Sequence, residues 1–286
     1  MLIASAFSRR QTALAGPNDP DRNGPDPFAA VEHSLGGRIG VAAVDTRNGA
    51  RLAHRSGERF AMCSTFKWLL AAAVLSKVER SGGTLDQPLR FRAKDLLTHS
   101  SVTGSHLAGL AGQLSLRDLC QAVVEVSDNT AANTLLRYLG GPHAVTAYAR
   151  HLGDPSTRLD RIELSLNSNL PGDPRDTTTP VAMIQTMRKV LIGDALSDRS
   201  RDLLIDWLKN SQTGLQRLRA GLPAGWIVGD KTGTGDNGAA NDLAIIWPPQ
   251  RAPILIAAYC DAADATPDAL DSAHAAIGRL VAAAFA

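Results

Sequence analysis

The chain has 286 residues, 44% of them apolar, with 30 Lys plus Arg against 28 Asp plus Glu and a formal charge of +2. That length supports one large domain or two modest ones around a sizeable core. A near-neutral balance without any Lys/Arg run excludes a protein built to neutralise phosphates, so no nucleic-acid partner is expected. No stretch of 18 or more apolar residues occurs, so no helix inserted in a membrane is expected. Cys63, Cys120 and Cys260 are odd in number and far apart, which excludes a disulfide-stapled scaffold. The chain has no HExxH pattern, CxxC pair or EF-hand loop, and neither a metal nor a cofactor is expected.

Residues 1–26, ending in GPNDPDRNGPD, have a composition that cannot bury enough surface to order itself and read as a tail. Within them Ala13-Leu14-Ala15 resembles an export cleavage site and Ser8-Arg9-Arg10 a twin-arginine signal, although the apolar segment that should follow the arginines is missing. Pro27 to Leu35 is predicted helical. Arg38 to Asp45 is predicted as a strand that turns at Arg47-Asn48-Gly49 into a second one. The run FKWLLAAAVLSKV after Ser64 is rich in helix formers and apolar nearly all round, as a helix in the middle of the molecule would be.

From about Ser115 to Asn210 the pattern is helical: LRDLCQAVVEV, TAANTLLRYLG, AVTAYARHLG, PVAMIQTMRKVLIG and SRDLLIDWLKN, interrupted by an irregular segment from Asp154 to Thr178. Beyond Pro223 three strands are predicted in WIVGDKTG, DLAIIW and APILIAAYC, then a closing helix in PDALDSAHAAIGRLVAAAFA. Strands at both ends around a helical block predict one antiparallel sheet built from both ends, with the block inserted and a groove between the halves as the natural site.

Three motifs carry chemistry. Ser64-Thr65-Phe66-Lys67 puts a lysine three residues after a serine, on one helix face, where the amine can reach the hydroxyl. A serine hydroxyl needs an adjacent base, and a buried lysine of lowered pKa can supply one. The bland alternative is a serine N-cap and a snorkelling lysine. Against it, no other serine has Lys at the third position on, and only six of the 30 basic residues are lysines. Ser127-Asp128-Asn129 lies between two predicted helices, where it could equally be a plain N-cap. Lys231-Thr232-Gly233-Thr234-Gly235 ends a predicted strand and offers a cation, two hydroxyls and backbone N–H groups to an anionic, peptide-like ligand, or else is only a glycine turn.

Taken in this order, the motifs resemble those of the class A serine β-lactamases, and the resemblance extends from about Pro27 onward. It includes Arg161-Ile162-Glu163-Leu164-Ser165-Leu166-Asn167, where Glu163 and Asn167 match the family's pair that holds the hydrolytic water, and Arg161 and Asp176 match a pair that ties the loop's ends. The resemblance implies an α+β fold with a three-layer α/β/α sheet domain and a five-stranded antiparallel sheet (27–62 and 211–286). An inserted all-α domain (63–210) would include an omega-type loop at 158–176. It implies hydrolysis of β-lactam antibiotics through an acyl-serine, with β-lactams as the only partners, in a monomeric periplasmic or secreted enzyme. Ser64 would be the nucleophile, Lys67 its base or base relay, Ser127 the shuttle to the lactam nitrogen, and Glu163 with Asn167 the holders of water. Asn129 would bind the substrate amide. Lys231, Thr232, Gly233 and Thr234 would line the carboxylate site, and the N–H groups of Ser64 and Thr234 would form the oxyanion hole.

Departures from the pattern are local. Ala240 stands where many members carry an arginine, and Arg217 matches the alternative position. Cys63 has Gly235 where a disulfide partner would be, and Cys120 has Ala71, so free thiols are expected. His99 stands where many members place an aromatic residue at the groove rim, and Leu164 replaces a frequent proline. Two other functions share the three motifs: a D-Ala-D-Ala peptidase or transpeptidase, which lacks the loop glutamate, and a sensor that stays acylated. Glu163 argues against the first.

Overall fold

The computed structural model describes residues 26–286, and the tail's export-signal features lie outside them. After helix α1 (Ala29–Leu35), strand β1 (Arg38–Asp45) turns into β2 (Arg51–His54) through a loop in which Asp45 and Asn48 side chains accept the N–H groups of Arg47 and Ala50. Next come β3 (Phe60–Ala61), a 3-10 turn at Cys63–Thr65, and helix α2 (Phe66–Ser81). The helical half continues with β4 (Pro88–Arg92), α3 (Ser101–Ser105), β5 (Leu107–Ala108), β6 (Ala111–Ser115), α4 (Leu116–Glu125), α5 (Asn129–Leu139), α6 (His143–His151), β7 (Thr177–Thr178), α7 (Pro180–Leu191) and α8 (Asp198–Lys209). Strands β8 (Ile227–Thr234), β9 (Ala239–Trp247) and β10 (Ile254–Asp261) and helix α9 (Pro267–Phe285) finish the chain.

The main sheet has five strands in the order β2-β1-β10-β9-β8, each pair antiparallel. Strand β1 pairs with β10 along its whole length, from Arg38 opposite Asp261 to Asp45 opposite Ile254, so the two ends of the chain meet as the sequence pattern predicts. Both faces of the sheet are covered, which explains why its central strands read as apolar runs rather than alternations. Ile39, Val41, Ala43, Ile256 and Ala258 pack on Phe28 and on Leu270, Ile277 and Val281 of α9. Ala42, Val44, Leu255, Ala257 and Tyr259 join the larger cluster around α2.

Helix α2 is buried along most of its length, ends at Gly82 in the left-handed conformation, and touches α4, α5, α6 and α8. The helices around it begin at side-chain caps: Ser115 for α4, Asp128 for α5, Thr179 for α7, Ser197 for α8 and Thr266 for α9. Within the block expected to be all-helical, the structure adds a ribbon in the order β4-β6-β5, and β7 pairs with β3. Strands β3, β5 and β7 are two residues long, too short to show a period, whereas β4 does alternate Leu89 and Phe91 with Arg90 and Arg92, a signal the sequence reading missed. Among the described residues no helix is long and apolar enough to cross a membrane.

One close approach locks the strand leading to Ser64 onto the sheet. A side chain at Gly40 would place its Cβ 2.3 Å from the Phe60 ring, and Gly40 sits directly opposite Tyr259, on which Phe60 stacks with centroids 6.0 Å apart. Phe60 is buried, and the Arg38 guanidinium lies 4.4 Å above its ring. Gly40→Ala is therefore expected to overpack this contact and cost about 1–3 kcal/mol, read as a lower urea midpoint with an unchanged slope. Phe60→Leu should recover part of that loss, and an unchanged midpoint for Gly40→Ala would refute the contact's importance.

Candidate active site

Ser64 lies in the 3-10 turn that feeds α2, after Cys63 in the left-handed region at φ 46. The turn is clasped from three sides. Thr65 Oγ1 donates to Met62 O at 2.7 Å, Asn241 Nδ2 from β9 donates to Ala61 O and Met62 O at 3.0 Å each, and Met62 N donates to Asp176 O at 2.9 Å. Strand β8 passes so close that a Cβ at Gly233 would stand 2.7 Å from Met62 O and 3.1 Å from Ser64 N. Glycine at 233 is thus what brings the strand to the nucleophile.

Lys67, the second residue of α2, is fully buried. Its Nζ donates to Asn129 Oδ1 at 2.6 Å and Ser127 O at 2.8 Å, stands 3.3 Å from Ser127 Oγ, and pairs with Glu163 Oε1 at 2.9 Å. Burial lowers the Lys67 pKa, and the Glu163 carboxylate opposes the shift. The sequence expectation that the amine reaches the Ser64 hydroxyl is met indirectly. Ser64 Oγ donates to Glu163 Oε1 at 3.4 Å, so one carboxylate oxygen touches both groups, and no Ser64–Lys67 hydrogen bond forms among the described residues.

Ser127 and Asn129 are placed by the residue between them. Asp128, fully buried, caps α5 through Ala131 N at 2.8 Å and also accepts Val102 N, Thr103 N and Thr103 Oγ1. The N-cap reading and the functional one therefore coexist: Asp128 is the cap, which fixes its neighbours. Ser127, at φ 59, places its hydroxyl 3.3 Å from Lys67 Nζ and 3.1 Å from Lys231 Nζ. Asn129 Nδ2 donates to Thr98 O at 2.8 Å, which leaves its second hydrogen for a ligand. The backbone N–H of Asn129 donates to the carbonyl of His99, a residue at φ 53 that lines the groove.

On β8, Lys231 is buried and also donates to Thr232 O at 2.8 Å. Burial first, then the charge of Lys67, pulls its pKa down to about 7, against the pull of Asp230 and Asp242. Thr232 Oγ1 donates to Thr213 Oγ1 at 2.7 Å. Gly235 N–H donates inward to Ala239 O at 3.0 Å, and the alternation of an antiparallel pair turns the N–H of Thr234 outward. Arg217 reaches the same place, donating to Thr234 Oγ1, Gly233 O and Asn241 O at 2.8 Å each and to Asp271 at 2.9 Å. These contacts leave its side chain only 12% exposed.

Glu163, 4% exposed, is carried by the irregular segment before α7. The Glu163–Leu164 peptide is cis. Asn167 Nδ2 donates to Glu163 Oε2 at 2.8 Å, and Asn167 Oδ1 is buried without a protein partner. Asp176 closes the segment, accepting Asp160 N, Arg161 N and Arg161 Nε. Sequence reasoning missed Asn133, which brackets Glu163 by donating to its carbonyl at 2.9 Å and accepting its N–H at 3.0 Å. Its only signal was a position four residues after Asn129, on the same face of α5.

These groups line a groove of about 510 Å³ that includes Ser64, His99, Ser127, Asn129, Asn167, Arg217 and Thr232 to Gly235. A larger recess of about 750 Å³ lies behind the loop against Arg38 and Phe60, away from Ser64. All three cysteines are buried free thiols, as expected. Burial pushes the Cys63 thiol up to about 12, and a Cβ at Gly235 would sit 2.6 Å from its sulfur, so the two positions adjoin although glycine offers no partner.

A serine whose hydroxyl touches a buried carboxylate, with two buried ammonium groups and an outward backbone N–H around it, defines a serine acyl-transfer hydrolase that carries its own base for water. The chain belongs to the class A serine β-lactamases: residues 27–286 match the model of the β-lactamase enzyme family. It is 49% identical to β-lactamase CTX-M-8 of Citrobacter amalonaticus over 81% of this chain and 79% of that one. Against β-lactamase Toho-1 of Escherichia coli it is 47% identical, over 80% of this chain and 78% of the relative. Among solved structures, an ancestral class A β-lactamase superposes with a TM-score of 0.88 at 53% identity, covering 90% of this chain and 98% of the other. The putative class A β-lactamase PenP from Rhodopseudomonas palustris gives 0.87 at 49% identity, covering 91% and 98%.

The lowered pKa of Lys231 has a measurable sign. Between about 7 and the ordinary 10.5 of a lysine the folded protein binds fewer protons at this site than the unfolded chain, so the cost of burying the ammonium fades as pH rises. The charge that would attract a substrate carboxylate is lost in the same direction. kcat/KM is therefore expected to fall as pH rises through about 7. In Lys231→Arg, which stays charged, that alkaline limb should move upward or vanish. An identical limb in the variant would assign it to another group.

Proposed function

We propose that the protein hydrolyses β-lactam antibiotics by acylating Ser64 and releasing the acyl group with water activated by Glu163. The observation that carries this reading is the position of Glu163 Oε1, buried and in contact with both Ser64 Oγ (3.4 Å) and Lys67 Nζ (2.9 Å). The site would lie between a sheet half, 27–62 with 211–286, and a helical half, 63–210 with its loop at 158–176. The molecule would act as a monomer in the periplasm or after secretion.

In the first step Ser64 Oγ attacks the lactam carbonyl carbon while its proton passes to the Lys67 and Glu163 pair. The N–H groups of Ser64 and Thr234 stabilise the oxyanion. The C–N bond then breaks, and the ring nitrogen takes a proton from Ser127, which Lys67 reprotonates with the proton that Ser64 gave up, so that Glu163 is a free carboxylate again. Asn129 holds the substrate's side-chain amide, and Lys231, Thr232, Gly233, Thr234 and Arg217 hold its carboxylate, with His99 at the rim. In the second step Glu163 takes a proton from a water that Asn167 Oδ1 also accepts. The resulting hydroxide attacks the ester carbon, and the Ser64 oxygen leaves with a returning proton. The peptidases that share the three motifs lack this loop glutamate, and a sensor that stays acylated has no use for a water base. Its burial beside the nucleophile favours turnover over both alternatives.

Purified protein mixed with a chromogenic cephalosporin should show multiple turnovers, followed by absorbance and intact mass. Glu163→Gln should accumulate a one-to-one adduct, with deacylation slowed by about 10²-fold or more, and Ser64→Ala should form no adduct. A stable adduct in the parent protein would favour the sensor, and parent-like turnover in Glu163→Gln would assign the water base to another residue.

A further inference from the structure

The wall of the groove that carries Arg217 has little regular structure of its own: after α8 the chain runs irregularly to a 3-10 turn at Leu218–Gly221. It is held instead by two carboxyl groups on the sheet beneath it, Asp230 of β8 and Asp242 of β9, both fully buried. Asp230 pairs with Arg219 and accepts Ser211 Oγ at 3.4 Å. Asp242, directly opposite Thr232 in the β8–β9 register, accepts the N–H of Leu218 at 3.1 Å. The residue before it, Asn241, accepts Arg217 through its carbonyl at 2.8 Å. Consecutive residues of β9 therefore grip the guanidinium of Arg217 and the peptide nitrogen that follows it.

We propose that Asp242 is a positioning residue for the substrate-carboxylate site, fixing through Leu218 N–H the backbone from which Arg217 reaches Thr234. The proposal rests on the carboxylate-binding role of Arg217 given above. Asp242 touches no substrate. Its second oxygen is buried without a protein partner, an arrangement that core packing alone gives no reason to keep. Burial, and then the neighbouring Asp230, push its carboxyl well above the usual carboxylate range, so a neutral acceptor is what the position needs and asparagine should serve.

The test compares a penicillin with its methyl ester on the whole enzyme. Asp242→Val keeps the branched shape and removes both oxygens. It should raise KM for the penicillin about tenfold, the worth of a lost hydrogen bond, with kcat within about twofold and the ester unaffected. Asp242→Asn should restore the parent values. In an Arg217→Ala background Asp242→Val should add nothing. Where Asp242→Val does not fold, Asp242→Ser, whose hydroxyl is one bond shorter, is measured with the same expectation. Equal losses for acid and ester, a fall confined to kcat, or additivity with Arg217→Ala would overturn the proposal. An Arg217→Ala enzyme with parent KM would overturn the role of Arg217 and this inference together. A raised KM there with none in the Asp242 variants would overturn this inference alone.

Discussion

Two buried ammonium groups within reach of one hydroxyl are the constraint from which the site follows. Lys67 and Lys231 lie on different halves of the molecule, both fully buried, and meet at Ser127 Oγ. Two unscreened cations at that range would drive the halves apart or lose a proton, because burial and like charge both disfavour the ionised form. The structure answers with acceptors. Lys67 is ringed by the Asn129 amide oxygen, the Ser127 carbonyl and the Glu163 carboxylate, while Lys231 has the Thr232 carbonyl and the Ser127 hydroxyl. Lys67 thus has the one full countercharge in contact, and Lys231 is the amine held near neutral pH. That imbalance across the Ser127 hydroxyl is what the proposed proton shuttle would use.

The carboxylate that balances Lys67 comes from a segment without regular structure, and the chain spends many polar contacts on keeping it there. Asp176 gathers the backbone N–H groups of residues 160 and 161 and the Arg161 guanidinium at the neck, and its carbonyl accepts Met62 N beside the nucleophile. Asn133 holds residue 163 by both main-chain groups, as a neighbouring strand would. A side-chain amide can replace a strand in this way because it offers one donor and one acceptor side by side. The loop is thus tied to the turn of Ser64 and to helix α5, which holds the Glu163 carboxylate beside the serine.

Much of this was legible in the sequence, and the limits have physical causes. The sheet strands could be read because coverage on both faces makes them apolar runs, and the helices because their caps and periods are strong, as with Ser115 and Leu116–Glu125. The motif residues could be read because their types are unusual together: a serine–lysine pair, a hydroxyl and amide at a helix junction, a cation before a glycine. The two-residue strands β3, β5 and β7 left no trace, since a strand of two residues has no period, while the alternation of Leu89 and Phe91 with two arginines in β4 is too brief to stand out beside the helical patterns around it. Asn133, Asp230 and Asp242 were invisible for a different reason. A lone Asn in a helix or Asp in a strand matches a solvated residue in composition, and only the fold shows that it is buried and which backbone group it satisfies.

The sheet order explains why the site is where it is. Strand β8 is the edge of the five-stranded sheet, and edge strands present unpaired N–H and C=O groups that elsewhere invite aggregation. Here the edge is curtained by the 3-10 turn of Ser64 and by the Arg217 wall, leaving free only the stretch that Gly233 brings against the nucleophile. In the proposed reading, a peptide-like acyl group laid along Thr232 to Thr234 would complete the sheet as an added strand does, with its carbonyl beside the Ser64 hydroxyl. With β10 paired to β1 on one side and to β9 on the other, and β9 paired to β8, strand β8 is left at an edge of the sheet. The nucleophile on the inserted half and the edge on the terminal half are thus joined by topology before any catalytic residue is chosen.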